Sequence, residues 1–211
     1  MNSRQLMIEA TMTPQRIFLA MSGASGSIYG LSLARELCRR GVDLFFCATA
    51  SGVLVCREET GLDLSGDLSA ASDRLLAYLG VETGIRMVSN DNLFAGPASG
   101  SAAPEAMIVA PCSMGTLARI AAGISSNLIE RSADVMLKER RPLLLVPRET
   151  PLSEIHLENM LKLTRAGARI IPAMPAFYHR PETVSDMVDF VVGRVLDQAG
   201  IAHDLYCRWG N

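Results

Sequence analysis

The stretch Arg140-Arg141-Pro142-Leu143-Leu144-Leu145-Val146-Pro147-Arg148-Glu149-Thr150-Pro151 decides the fold of this 211-residue chain. Leu143 to Val146 is an unbroken aliphatic run without polar alternation, the pattern of a parallel strand buried on both faces. Pro147 follows at once, and between it and Pro151 lie a cation and a carboxylate, Arg148 and Glu149. In parallel α/β sheets, ligands occupy the crevice beyond the carboxyl ends of the strands. Arg148 and Glu149 therefore stand where an anion is gripped and a proton moved.

Working outward, strand and helix patterns alternate. Arg16–Met21 reads as a first strand, Ser22-Gly23-Ala24-Ser25-Gly26 as a small-residue turn, and Ser27–Arg40 as a helix whose apolar face is Ile28, Leu31, Leu33, Ala34 and Leu37. Gly41 stops it, and Val42–Ala48 is a second strand, so the chain opens as a βαβ unit with a right-handed crossover. Further helices are expected over 51–60, 115–122, 128–139, 155–166 and 184–199, and further strands over 85–88, 106–110, 143–146 and 169–172. Residues 62–84 read as a mixture of loop and helix without clear bounds, and 92–104 as a long loop. The sum is an α/β doubly wound, Rossmann- or flavodoxin-like, mainly parallel sheet with helices on both faces. Residues 16–211 form one domain in this reading. Residues 1–15 form a loose N-terminal extension, with Met12 as an alternative start.

Bulk properties narrow the function. A net charge of -2 argues against a nucleic-acid surface. No apolar run approaches the ~20 residues of a membrane span. Five cysteines, an odd number without a Cys-x-x-Cys pair, fit reduced cytoplasmic thiols, and three histidines without i,i+4 spacing do not suggest a metal site.

Two turns at the carboxyl edge are candidate ligand cradles. Gly23, Ala24 and Ser25 in the first, and Ser113, Met114, Gly115 and Thr116 after the 106–110 strand, combine glycine, hydroxyls and helix N-termini. Each also reads as a capped helix start, with Ser25 as an N-cap. Two such turns in one sheet favour a nucleotide-like ligand. Arg131 and Lys138, seven apart, share a helix face that can clamp a phosphate, or that is simply solvated with Asp134 pairing to Lys138. Glu59 reads as a solvated carboxylate, His179 as a surface histidine, and Cys112 as a buried structural thiol. Trp209, the only tryptophan, is expected to dock the C-terminal tail.

Taken together, several motifs resemble the UbiX-type flavin prenyltransferase family from about Arg16 to Trp209. They are Ser-Gly-Ala-Ser-Gly (22–26), Glu-Thr-Gly (59–61), Pro-Ala-Ser-Gly-Ser (97–101), Pro-Cys-Ser-Met-Gly-Thr-Leu (111–117), Asn-Leu-Ile-Glu-Arg-Ser-Ala-Asp-Val (127–135), Leu-Lys-Glu-Arg-Arg-Pro-Leu (137–143), Pro-Arg-Glu-Thr-Pro (147–151), His-Leu-Glu-Asn-Met (156–160) and Pro-Ala-Phe-Tyr-His (175–179). The resemblance implies a metal-independent enzyme that transfers a dimethylallyl group from dimethylallyl monophosphate to reduced FMN and closes a fourth ring. The product, prenylated FMN, serves UbiD-type decarboxylases of ubiquinone synthesis or aromatic-acid metabolism. It also implies a homo-oligomer, commonly a dodecamer, with active sites at subunit junctions.

Carried over by motif, Gly23, Ala24, Ser25, Thr49, Ser113 to Thr116 and Arg148 would hold FMN, and Ser99, Arg131, Lys138, Tyr178 and Arg194 the donor phosphate. Glu149 and Ser25 would carry protons, with Glu59 in support. A flavin-dependent decarboxylase of the peptidyl-cysteine type is the competing reading, but it needs a histidine early in the chain and none precedes His156. A flavin carrier without catalysis is a third, and it has no need of a second phosphate site.

One position departs from the resemblance: Leu93 stands where some members carry tryptophan. Replacing Leu93 by Trp is expected to change the turnover rate or the preference among allyl donors without abolishing activity. Steady-state kinetics identical to the parent protein would refute any link between this position and the allyl group.

Overall fold

The computed structural model describes residues 15–210. Its strands are β1 (Arg16–Met21), β2 (Asp43–Ala48), β3 (Ile85–Met87), β4 (Ala106–Cys112), β5 (Leu143–Pro147) and β6 (Arg169–Ile170). Its helices are α1 (Ser27–Arg39), α2 (Ala50–Thr60), α3 (Leu68–Leu79), α4 (Met114–Ala121), α5 (Leu128–Lys138), α6 (Glu154–Arg165) and α7 (Val184–Ala199). The strands form one sheet in the order β3-β2-β1-β4-β5-β6, and every pairing is parallel. This is the expected doubly wound topology, and its winding reverses between β1 and β4.

The aliphatic run that decided the fold is β5, buried along its whole length. Alternate strand residues feed two cores. Ile17, Leu19 and Met21 of β1 pack with α1, α2, α3 and α7 on one face, whereas Phe18 and Ala20 pack with α4, α5 and α6 on the other. Period-2 alternation thus divides apolar residues between two helix layers, which is why the strands read as continuous hydrophobic runs.

Several boundaries differ from the sequence reading. The stretch 62–84, read as mixed loop and helix without bounds, contains α3, whose N-cap Asp67 accepts from the N–H groups of Ser69 and Ala70 and whose end is Gly80 at φ 67°. Loop 92–104 includes a single 3₁₀ turn, Gly96–Ala98. β6 stops short of the expected Pro172, which has no N–H for the ladder. The reading of residues 1–14, including Met12, lies outside the described residues. Gln15, placed in the extension by the sequence, has its carbonyl bound to the Asp43 N–H at 2.8 Å.

Ser25 does not cap α1. The N-cap is Gly26, at φ 111° and with no side chain to offer, and the capping carboxylate comes from Glu59 at the far end of α2. Glu59 accepts from the Gly26 N–H at 3.0 Å and the Ser27 N–H at 2.8 Å. Burial pushes its carboxyl up, but hydrogen bonds from the Ser25 hydroxyl and from the Ser27 and Gly26 N–H groups outweigh it and hold Glu59 below its ordinary value of 4.5. The solvated-carboxylate reading is corrected: Glu59 is a charged cap placed on the positive end of a helix.

A carboxyl with a lowered folded pKa stabilises fully above its ordinary pKa and ceases to do so as pH falls through the folded value. Glu59→Gln is therefore expected to lose about 1 kcal/mol at neutral pH, the usual worth of an N-cap. The difference should shrink between neutral pH and an acid pH below the lowered folded value of Glu59. Urea titrations at the two pH values measure it, and a difference independent of pH would exclude the charged cap.

Candidate active site

The two turns singled out from sequence meet where the sheet's winding reverses, at the carboxyl ends of the adjacent strands β1 and β4. Ser22 joins them. Its hydroxyl donates to the Pro111 carbonyl at 3.1 Å and accepts from the Ser113 N–H at 2.7 Å, and its own N–H donates to the same carbonyl at 3.0 Å. The sequence analysis did not single out Ser22, because its partners lie some ninety residues away and no local pattern marks them. Gly23 is glycine for a steric reason: a Cβ there would stand 2.4 Å from Oγ of Ser51. The first turn thus packs directly on the start of α2.

At the second turn Ser113 caps α4. Its Oγ accepts from the Thr116 N–H at 3.3 Å and donates to the Thr116 hydroxyl at 3.1 Å. The N–H groups of Met114 and Gly115 have no hydrogen-bond partner among the described residues, so two donors at a helix N-terminus remain for an oxygen of a ligand. At α1 Glu59 takes the N–H groups of Gly26 and Ser27, and that of Ile28 is left without a partner among the described residues. Of the two predicted cradles, the second is the open one. Thr49 caps α2, accepting from the Gly52 N–H at 2.9 Å, with Oγ of Ser51 3.2 Å away.

Arg148 leaves β5 and reaches back to the first turn, where its Nε donates to the Ser25 carbonyl at 3.1 Å. Ser25, Gly26, Tyr29, Glu59 and Arg148 line one cleft of about 590 Å³, closed on its other side by Val184, Met187 and Val188 of α7. That volume lies in the usual range for small-molecule and cofactor sites. Beyond Arg148 a second hollow of about 290 Å³ is lined by Glu149, Met160 and Met174. The Glu149 carboxylate accepts only from the Thr150 N–H, at 3.1 Å. Arg148 borders both hollows, so Ser25 and Glu149 flank a shared wall.

The residues expected to hold a donor phosphate do not converge within one chain. Arg131, on α5, donates to the Ala98 carbonyl at 3.2 Å and pairs with Asp134 at 2.9 Å. Lys138 pairs with Glu139 at 2.8 Å, which corrects the expected Asp134–Lys138 pair. A Cβ on Gly100 would stand 3.3 Å from Nζ of Lys138, so Ser99, on the 3₁₀ turn, belongs to this group. Tyr178 and Arg194 belong with α7, on the opposite face of the sheet. There the Tyr178 ring meets those of Phe190 and Trp209 edge-on at 5.7 and 5.2 Å, and Arg194 pairs with Asp197 at 3.2 Å.

Trp209 docks the tail as expected, against Tyr178. His179 is not a free surface histidine: its ring stacks on Phe190 at 5.2 Å, and both ring nitrogens are buried without a hydrogen-bond partner. Cys112 is wholly buried, and burial pushes its thiol up to about 12, which suits a structural thiol and no nucleophile. Among the described residues no cluster of His, Cys, Asp and Glu is suited to a metal ion, and no helix is long and apolar enough to cross a membrane.

Comparison with known proteins agrees with this geometry. The Flavoprotein family model matches residues 7–196. The flavin prenyltransferase UbiX of Pseudomonas aeruginosa is 52% identical over 198 residues, covering 93% of this chain and 95% of the relative. The crystal structure of AnUbiX in complex with FMN and dimethylallyl pyrophosphate superposes with a TM-score of 0.84 at 40% identity, over 94% of this chain and 98% of that one. A dodecameric FMN-dependent UbiX-like decarboxylase from Escherichia coli O157:H7 gives 0.82 at 41% identity, over 93% and 100%. With a cleft bordered by Ser25 and Arg148 and this likeness along nearly its whole length, the chain belongs to the UbiX family of flavin prenyltransferases.

Proposed function

We infer that this chain transfers a dimethylallyl group from dimethylallyl phosphate to reduced FMN and so makes prenylated FMN. The observation that carries this reading is the meeting of Ser25 and Arg148 at one cleft, with Glu149 in the adjoining hollow and the open α4 N-terminus tied to the same turn through Ser22. The FMN and dimethylallyl pyrophosphate of the AnUbiX complex come to this chain as its two substrates on that basis. A flavin carrier explains the cleft but gives no use to a second, phosphate-binding group of cations. A peptidyl-cysteine decarboxylase has no histidine to work with before His156.

In this reading Gly23, Ala24 and Ser25 admit the flavin close to the backbone, and the turn from Ser113 to Thr116 offers the free N–H donors of Met114 and Gly115 to its oxygens. Thr49 lies at the same edge, and Arg148 supplies the neighbouring positive charge. As the allyl–oxygen bond breaks, negative charge grows on the departing phosphate. Arg131, Lys138, Arg194 and the hydroxyls of Ser99 and Tyr178 stabilise it without reorganising. A flavin nitrogen takes the allyl carbon. Ring closure then requires one proton delivered to the alkene and one removed from the flavin ring. Glu149 is suited to carry them, since it is bound only to a neighbouring N–H. Glu59, whose lowered pKa keeps it ionised, supports the step by fixing Ser25 and the start of α1.

The donor group is completed by a second copy of the chain. Ser99, Arg131 and Lys138 lie on one face of the sheet and Tyr178 and Arg194 on the other, so only a neighbour can bring the two sets to one phosphate. Exposed apolar side chains agree with this. Leu152, Ile155, Leu157 and Leu161 are exposed on and beside α6, and Met174 and Phe177 on the loop after β6. We assign the chain to a homo-oligomer, a dodecamer as in the UbiX-like protein of Escherichia coli. Five free cysteines fit the cytoplasm, and the product goes to a UbiD-type decarboxylase.

Anaerobic incubation with reduced FMN and dimethylallyl monophosphate should yield a flavin heavier by one five-carbon unit. Glu149→Gln should slow its formation by roughly 100-fold or more while FMN binding is retained. Unchanged FMN with both the mono- and the diphosphate donor would reject the reading. For the shared site, Lys138→Ala and Arg194→Ala should each be inactive alone. Co-expressed, they should recover roughly a quarter of wild-type activity, as expected when intact sites form between random pairs of chains. No recovery would place both groups on one chain.

A further inference from the structure

The C-terminal tail folds back on α7 around one carboxylate. Asp197 accepts from Arg194 at 3.2 Å, from the Tyr206 hydroxyl at 3.0 Å and from Nη2 of Arg208 at 2.7 Å, and it pairs with Nε2 of His203 at 3.2 Å. Three of these four partners belong to residues 203–208, so Asp197 is the anchor of the tail. Burial pushes its carboxyl up, but the hydrogen bonds from Arg208 and Tyr206 more than reverse this and keep it ionised.

A second feature points the same way. Gly193 lies inside α7, where glycine is less favourable than alanine. A Cβ there would stand 2.6 Å from ring carbons of both His203 and Tyr206. The helix has a gap at the position where the tail lies down.

The anchored tail alters the donor side of the site. Two guanidiniums, Arg194 and Arg208, share a single carboxylate, which leaves one positive charge over. The Tyr178 phenol lies near enough to interact electrostatically with both. Each guanidinium has five N–H donors and uses one or two of them on Asp197. Next to them Tyr178, His179, Arg208 and Trp209 line a hollow of about 390 Å³. A surplus positive charge, unused forked donors and a phenol are what a phosphate monoester is bound by.

We propose that Arg208, carried on the C-terminal tail, is a further donor-phosphate-binding residue, and that Asp197 is the positioning residue that holds Arg208 and Arg194 together beside Tyr178. The proposal rests on the prenyltransferase reading and deepens it. The tail then belongs to the Tyr178–Arg194 half of the shared site, and the ligand recognised is the phosphate of an allyl phosphate.

Binding is tested without turnover, by calorimetric titration of dimethylallyl monophosphate into protein carrying oxidised FMN. Arg208→Gln, at an exposed position, should weaken donor binding about tenfold and leave FMN affinity unchanged. Asp197→Asn should weaken it at least as much and release the tail. Release is read as faster local motion of Trp209, the only tryptophan, in time-resolved fluorescence anisotropy. Asp197→Glu should restore part of both. Wild-type donor affinity in Arg208→Gln would overturn the assignment of Arg208. A freed Trp209 with unchanged donor affinity in Asp197→Asn would make the anchor purely structural and overturn its positioning role. Wild-type protein that neither binds nor turns over the donor would instead overturn the prenyltransferase reading, a result distinct from either.

Discussion

The parallel pairing of β1 with β4 is the constraint from which the site follows. To its left the chain winds through β2 and β3, and to its right through β5 and β6. Helices leave the two strands toward opposite faces, so the loops at their carboxyl ends must separate, and a crevice opens between them. Ser22 stops the crevice from spreading, since three hydrogen bonds tie the first turn to the second across the reversal point. Arg148 adds a fourth tie from the next strand. The turns hold one another at a fixed separation, as a preorganised site requires.

Charge is distributed with the same economy. The N-terminus of α1, which in many dinucleotide-binding folds faces a phosphate, is already neutralised by Glu59. The N-terminus of α4 is left open. One helix end thereby carries a protein carboxylate, and the adjacent one keeps two free N–H donors. The cations proposed to meet the donor phosphate already have carboxylate partners, Arg131 with Asp134, Lys138 with Glu139 and Arg194 with Asp197. Exposed pairs of this kind are weak in water, so an entering phosphate can take a share of the donors while each side chain stays in position.

Much of the fold was legible because it depends on local periods. β1, β4 and β5 are aliphatic runs bounded by turn residues, and α1, α5, α6 and α7 repeat every three or four residues. The bounds of the helix within 62–84 were not legible, because α3 fully buries only Ala71, Leu75 and Leu79. At the site, the two turns and Arg148 could be named from their place after strands. The role of Glu59 could not, since the donors it caps are thirty-odd residues away in sequence. His179 was misread for a related reason: its stacking on Phe190 depends on how a loop lies across α7.

The sequence by itself determined the α/β alternation, the parallel sheet, the two turns, the Arg148–Glu149 pair and, through its ordered motifs, the family. All of these are properties of residue type and spacing, which local sterics and burial translate directly into structure. Only the tertiary structure decided that Ser22 bridges the turns, that Glu59 closes α1 while α4 stays open, and that Asp197 gathers the tail. It also decided that the residues proposed for the donor phosphate divide between the two faces of the sheet. These depend on which side chains long-range strand order and helix packing bring within hydrogen-bond distance, and no local spacing in the chain encodes that.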